Sequence, residues 1–193
     1  MKIKMKIYTG YGDTGYTRMV GGTRERKNHP RVETYGSIDT LNSQVGFAVS
    51  LLAKEDSLRT ELLQVQQWIF QCSSDFATPD EKRPYRLETQ ATPWLEKKVD
   101  EYWQQLPSLD KFILPGGTQI ASALHLCRCF TREVERKAVT LIENGGTYNP
   151  ETLIFLNRLS DYFFALARWV NCQANETEIV YENSSKVFSK KEK

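Results

Sequence analysis

Five stretches of this chain carry apolar residues at the 3.6-residue period of an α-helix, and no strand-like runs alternate with them. Such a pattern offers nothing from which to build a parallel sheet and points to helices packed on helices. The first stretch begins near Val32, with Leu41, Val45, Ala48 and Leu52 on one face and Tyr35, Asp39, Asn42, Ser43 and Gly46 on the other. The second runs from Ser57, read as its N-cap, to about Asp75, with Leu62, Val65, Ile69 and Phe70 apolar. The third starts at Thr89 or Pro93 and reaches Leu106, just before Pro107. The fourth spans Gln119 to Glu143 and is stopped by Asn144-Gly145-Gly146. The fifth opens with Asn149 as N-cap and Pro150 at the first helical position, and runs to about Cys172. The sum is an all-α, five-helix up-and-down bundle. At 193 residues the chain reads as one domain over 1–193, with an arm at 1–30, the bundle at 31–175 and a tail at 176–193.

Composition excludes several function classes. A net charge of +2 gives no bulk field for nucleic acid or an anionic membrane surface. Cys72, Cys127, Cys129 and Cys172 form no C-x-x-C pair and have no histidine at zinc spacing, so reduced core cysteines are expected. The two histidines, His29 and His125, are too few for a histidine metal site and read as surface or cap residues. No apolar run reaches the length of a membrane span, and no signal peptide follows the basic N-terminus, so the expected location is the cytoplasm. Lys2–Tyr8 reads as a short strand or an extended arm, and IVYENSSKVF in the tail as strand-like or irregular.

The arm holds five of the eleven glycines and includes GYGDTG at 10–15, a literal G-x-G-x-x-G. A dinucleotide fingerprint needs its third glycine to open an apolar helix packed on a sheet. Here a Gly-Gly and a basic run follow instead, and Glu33, at the distance of a ribose-binding acid, falls in the first helix. The glycines therefore serve something other than a Rossmann turn.

The fourth and fifth helices carry polar stripes. At 100° per residue Arg128, Arg132 and Glu135 align, flanked by His125 and Arg136, apart from a core face of Leu126, Phe130, Val134 and Leu141. On the fifth helix Asn157, Asp161 and Arg168 align opposite Leu159, Phe163, Leu166 and Val170. Solvated faces with i,i+4 ion pairs are one reading. The other pairs these arginines with the glycine-rich arm and its Thr9, Thr17 and Lys27. Arginine suits bidentate phosphate recognition, and glycine-rich backbone N–H groups approach a polyphosphate closely. An anion with several charges, such as a triphosphate, fits both, although there is no P-loop sequence.

Five motifs in order resemble the PduO-type ATP:cob(I)alamin adenosyltransferases over essentially the whole chain. They are IYTGYGDTGYTRMVGG, RVETYGSIDTLNSQVGFA, FILPGG, CRCFTREVERKAV and FLNRLSDYFFALAR. The resemblance implies a ferritin-like, cobalamin adenosyltransferase-like bundle assembling as a homotrimer. ATP would lie between the arm of one subunit and the fourth and fifth helices of the next. The 5′-deoxyadenosyl group would pass from ATP to the cobalt of cob(I)alamin, with Mg²⁺ required and triphosphate released. A reductase and an adenosylcobalamin-dependent acceptor enzyme would be partners. The alternative is a non-catalytic trimeric carrier or sensor of nucleotide or corrinoid.

By the same resemblance Thr9, Gly10, Tyr11, Gly12, Thr17 and Arg18 surround the nucleotide and Lys27 meets its phosphates. On the fourth helix Arg132, Glu133, Val134, Glu135 and Arg136 face ATP, joined by Asn157 from the fifth. Arg132 and Arg136 would stabilise charge on the departing triphosphate, and Glu135 would orient an arginine or help place Mg²⁺. Asp39 and Arg128 match a pair that bridges two subunits. Phe112 would occupy the space below the corrin and keep the lower axial ligand off cobalt, with Val187 and Phe188 adding apolar surface. Gly10, Thr14 and Glu133 depart from the family pattern, which often has a basic residue in the arm and an arginine at the last position.

Overall fold

The helices begin where side chains satisfy their first backbone N–H groups. In the computed structural model, which describes residues 7–79 and 83–183, His29 caps helix α1 (Pro30–Ser50), its Nδ1 accepting from the Arg31 N–H at 3.1 Å. Asp56, rather than Ser57, caps α2 (Ser57–Phe76) by accepting from the Leu58 N–H. Either residue type can serve there, and the carboxylate one position earlier takes the role. Helix α3 is shorter than its sequence pattern and spans Ala91–Trp103, with no side-chain cap. Thr118 opens α4 (Gln119–Glu143) and Asn149 opens α5 (Pro150–Gln173), both as capping acceptors.

The helices alternate in direction. Arg59 bonds the Val49 carbonyl and Gln66 that of Asn42, which sets α2 antiparallel to α1. The Cβ that a side chain at Gly46 would carry lies 3.2 Å from Gln66 Nε2, so this glycine serves the approach of α2 within the chain. Asn157 meets Glu135 and Asn171 meets Thr118, which sets α5 antiparallel to α4. Neighbours in space run α2, α1, α4, α5, α3, so the α3–α4 connection at 104–118 must cross from one side of α5 to the other. The up-and-down reading thus holds in direction, with two long connections, at 77–90 and 104–118, rather than four short turns.

Two sequence expectations about helix faces are revised by what packs against the helices. Helix α4 buries Leu124, Cys127, Thr131, Val134, Ala138 and Leu141, spaced by threes and fours, while Leu126 is exposed and Phe130 only half-buried. Small residues in that row let α1 and α5 both lie close to α4, which turns its core face away from the larger side chains. On α5, Arg168 stays in angular line with exposed Asn157 and Asp161, but Trp103, Pro107 and Glu178 cover that end of the stripe and bury it. Of the cysteines, all free, Cys72 and Cys127 lie in the core but Cys129 is exposed and Cys172 half-buried.

Polar contacts tie the ends of the bundle. Arg31 donates to the carbonyls of Phe76 and Thr147, and Asp75 accepts from the backbone of Arg86 and Leu87 and from Asn149 Nδ2. Glu61 of α2 accepts from the hydroxyls of Tyr102 and Tyr162 and pairs with Lys98 at 3.0 Å. The arm forms a small hairpin, β1 (Tyr16–Arg18) with β2 (Arg24–Arg26), in antiparallel register Tyr16 to Arg26. In the described part of the tail Val180 bridges Ile113; residues 184–188 of the strand-like stretch lie outside the described residues.

Candidate functional site

The arm folds as two turns and a hairpin. Asp13 N–H bonds the Gly10 carbonyl and Gly15 N–H that of Gly12, each at 3.2 Å. Lys27 N–H returns to the Gly15 carbonyl at 3.0 Å, and the Lys27 side chain crosses Gly12 so closely that a Cβ there would lie 3.0 Å from Nζ. Gly12 is thus the position at which this ammonium reaches the backbone of the glycine loop. On one face of the hairpin cations stack on rings: Arg18 lies 4.6 Å from the Tyr11 ring centre and Arg24 4.0 Å from that of Tyr16. Strand alternation turns Thr17 to the other face.

That other face looks onto α1. A cleft of about 540 Å³ lies between Thr17 and Lys27 of the arm, Glu33, Ser37 and Thr40 of α1, and Lys137 of α4. Lys137 Nζ donates to Ser37 Oγ at 2.6 Å and pairs with Glu133 at 3.1 Å and Glu33 at 3.6 Å. Sequence reasoning missed Lys137, although its i,i+4 spacing from Glu133 was a signal. Glu133 is therefore engaged with a lysine of its own helix.

On the opposite flank of α4, Glu135 Oε1 accepts from Asn157 Nδ2 of α5 at 2.9 Å, so these two expected site residues do come together. Arg132 and Arg136, one turn apart, are exposed, and their guanidiniums make no hydrogen bond or ion pair with any described residue. Val134 is fully buried between them in sequence, its side chain in the core and out of a ligand's reach in this chain. Arg128 is half-buried, and its Nε is enclosed without an acceptor. Asp39 is exposed on α1, and no ion pair joins it to Arg128 within the chain.

Phe112 stands apart from all of these. It lies 56% exposed in the crossover that leads into α4, and its backbone carbonyl accepts from the Tyr181 N–H at 2.8 Å. Lys137 is 18 residues beyond the start of α4, about 27 Å along its axis. Glu135 and Lys137, two residues apart, are turned about 200° from one another around that axis. One chain therefore does not gather its arm, its Glu135–Asn157 pair and Phe112 into one pocket. Val187 and Phe188 lie outside the described residues. Among the described residues no group of three or more His, Cys, Asp or Glu is placed to hold a metal ion, and no helix is long and apolar enough to cross a membrane.

Comparison with known proteins identifies the family. The family model for cobalamin adenosyltransferase matches residues 7–170. A corrinoid adenosyltransferase from Bacillus subtilis (strain 168) is 44% identical over 187 residues, covering 95% of this chain and 96% of that protein. The corrinoid adenosyltransferase MMAB of Homo sapiens is 39% identical, covering 91% and 73%. Among solved structures, a variant PduO-type ATP:corrinoid adenosyltransferase from Lactobacillus reuteri, complexed with cobalamin and ATP, superposes with a TM-score of 0.90. It shares 48% identity, covering 95% of this chain and all of that one. Another variant of that protein, complexed with ATP, gives a TM-score of 0.86 at 46% identity, covering 91% of this chain and all of that one. With a five-helix architecture in common and matches over nearly its whole length, the chain belongs to the PduO-type cobalamin adenosyltransferase family.

Proposed function

We propose that this chain transfers the 5′-deoxyadenosyl group of ATP to the cobalt of cob(I)alamin. Cobalt(I) attacks the 5′ carbon with its electron pair and a cobalt–carbon bond forms. The carbon–oxygen bond to the triphosphate breaks, and that oxygen keeps the bonding pair. The observation that carries the reading is the unpaired Arg132 and Arg136 beside the Glu135–Asn157 pair, in a chain whose PduO-type neighbours are complexed with cobalamin and ATP. Two free guanidiniums on one helix face suit the charge that gathers on the leaving triphosphate. Lys27, Thr17 and the loop of Thr9–Gly12 hold the nucleotide from the arm side. Mg²⁺ arrives with the polyphosphate, for which one carboxylate, Glu135, is a sufficient protein contact.

The active unit is a homotrimer in which the arm of one subunit faces the Arg132 flank of the next. The opposite orientations of Glu135 and Lys137 about α4 support that division, as do Asp39 and the enclosed Arg128 Nε, both unpaired within the chain. Phe112 blocks the lower face of the corrin so that cobalt(II) sheds its axial ligand and becomes reducible. The enzyme works in the cytoplasm, receives electrons from a reductase and hands its product to an adenosylcobalamin-dependent enzyme. Incubation with ATP, Mg²⁺ and chemically reduced cobalamin tests the reading: adenosylcobalamin and triphosphate are expected, and release of pyrophosphate or ADP refutes it.

A further inference from the structure

The segment that carries Phe112 has little apolar burial to hold it. Phe112, Leu114, Ile179, Val180 and Tyr181 are all exposed, and a cleft of about 670 Å³ runs between residues 106–113 on one side and α5 with residues 175–180 on the other. What fixes the segment is polar. Leu114 N–H bonds the Ile179 carbonyl and Tyr181 N–H bonds that of Phe112, each at 2.8 Å, so the tail strand brackets Ile113 and holds the Phe112 carbonyl directly.

The tail strand is itself anchored by side chains one residue before these bonds begin, beyond the Glu176 N–H bond to the Asn171 carbonyl at 2.9 Å. Arg168 of α5 is 1% exposed, and its Nε donates to both carboxylate oxygens of Glu178 at 3.0 Å while Nη2 donates to Oε2 at 2.9 Å. The same guanidinium reaches the Pro107 carbonyl at 3.3 Å and stacks 5.0 Å from the Trp103 ring centre. One side chain thus ties α5 to the start of the crossover and to the tail. One turn later, Asn171 holds the other end of the crossover, donating to the Gly116 carbonyl and accepting from the Thr118 N–H and hydroxyl. A planar guanidinium fork against a carboxylate fixes orientation as well as distance.

We propose that the Arg168–Glu178 pair is the positioning device for Phe112: it sets the register of the tail strand, and the tail strand sets the height of the Phe112 backbone. This rests on the proposed function for the role of Phe112, while the structural link stands on its own. Neither residue touches the reacting atoms, so both act through Phe112.

Amide hydrogen exchange on wild type and Glu178→Gln tests the link. Exchange at Leu114 and Tyr181 is expected to quicken at least about tenfold, as when a charge-paired anchor is lost, with the Thr118 amide unchanged because Asn171 holds it. A second variant, Tyr181→Pro, removes the N–H that meets Phe112 and leaves the ion pair intact; faster exchange at Leu114 is expected there too. Equal exchange in wild type and Glu178→Gln overturns the proposal. The functional half is read from the electron paramagnetic resonance spectrum of cobalt(II) bound with ATP, which reports axial nitrogen coordination. Both variants should retain the axial ligand and turn over more slowly at unchanged KM for ATP, and Glu178→Asp should restore part of the signal. A wild type that forms no adenosylcobalamin refutes the proposed function and leaves the exchange result to decide the link. An active wild type with variants spectroscopically identical to it refutes the positioning role.

Discussion

His125 gives the sharpest quantitative test of the fold. It lies on α4 at 4% exposure, 6.2 Å from the Phe164 ring centre, and neither ring nitrogen has a hydrogen-bond partner. Burial, followed by the nearby Arg128 charge, pushes its pKa from 6.5 down to about 4. The folded state therefore prefers the neutral ring. Its contribution is fully present above pH 6.5 and is lost as pH falls from there towards 4. At 1.36 kcal/mol per unit, the loss between pH 7.5 and pH 5.0 is about 2 kcal/mol. Replacing His125 with Leu removes both the titration and two unpaired buried nitrogens, so the variant should be at least as stable as wild type at pH 7.5. Urea unfolding of both proteins at fixed concentration, at the two pH values, isolates the effect because other titrating groups cancel in the difference. The variant's advantage should grow by about 2 kcal/mol on acidification. Parallel stabilities at the two pH values would refute the reasoning.

Two further outcomes follow from close contacts. Gly117→Ala should loosen the Phe112 crossover, since the residue sits at φ +100 and a Cβ there would overlap the Asn171 side chain; faster exchange at the Thr118 amide and a lower melting temperature are the readouts. Asp75→Ala leaves the Arg86 and Leu87 N–H groups and Asn149 Nδ2 without an acceptor, and should cost about 3 kcal/mol or more in chemical denaturation.

The helices were legible because their apolar residues keep the helical period and most of them are bounded by Pro, Gly or capping residues. Helix ends were less so: Asp56 and Ser57 are both good caps, and only the path of the chain selects between them. Helix faces depended on the partners. The core row of α4 contains Cys127, Thr131 and Ala138, residues that hydropathy ranks below Leu126 and Phe130, and their smallness matters only because two helices press on them. Arg168 looked like a surface arginine because nothing in its own helix announces Glu178, ten residues on and past the helix end. The arm and the pairing of Glu135 with Asn157 follow motifs and were visible as residue types. That the arm cleft and this pair occupy opposite flanks of α4 came from the packing alone.

That separation makes the division of the site between subunits testable without any structure of the assembly. Lys27→Ala damages an arm and leaves the α4 flank intact, whereas Arg132→Ala does the reverse. If arm and flank come from different subunits, equal co-expression of the two variants restores some sites: half of the arms and half of the flanks are intact. Independent pairing then makes about a quarter of sites wild type at both positions, whatever the number of subunits in the closed ring. The double variant co-expressed with wild type serves as the control, since it places both lesions in one chain. Each single variant alone should turn over slowly, and the mixture should recover about one quarter of wild-type activity. If each chain completes its own site, no chain in the mixture is intact and recovery is nil. Absence of recovery from a mixture shown to contain hybrid oligomers would therefore refute the shared site and return arm and arginines to a single subunit.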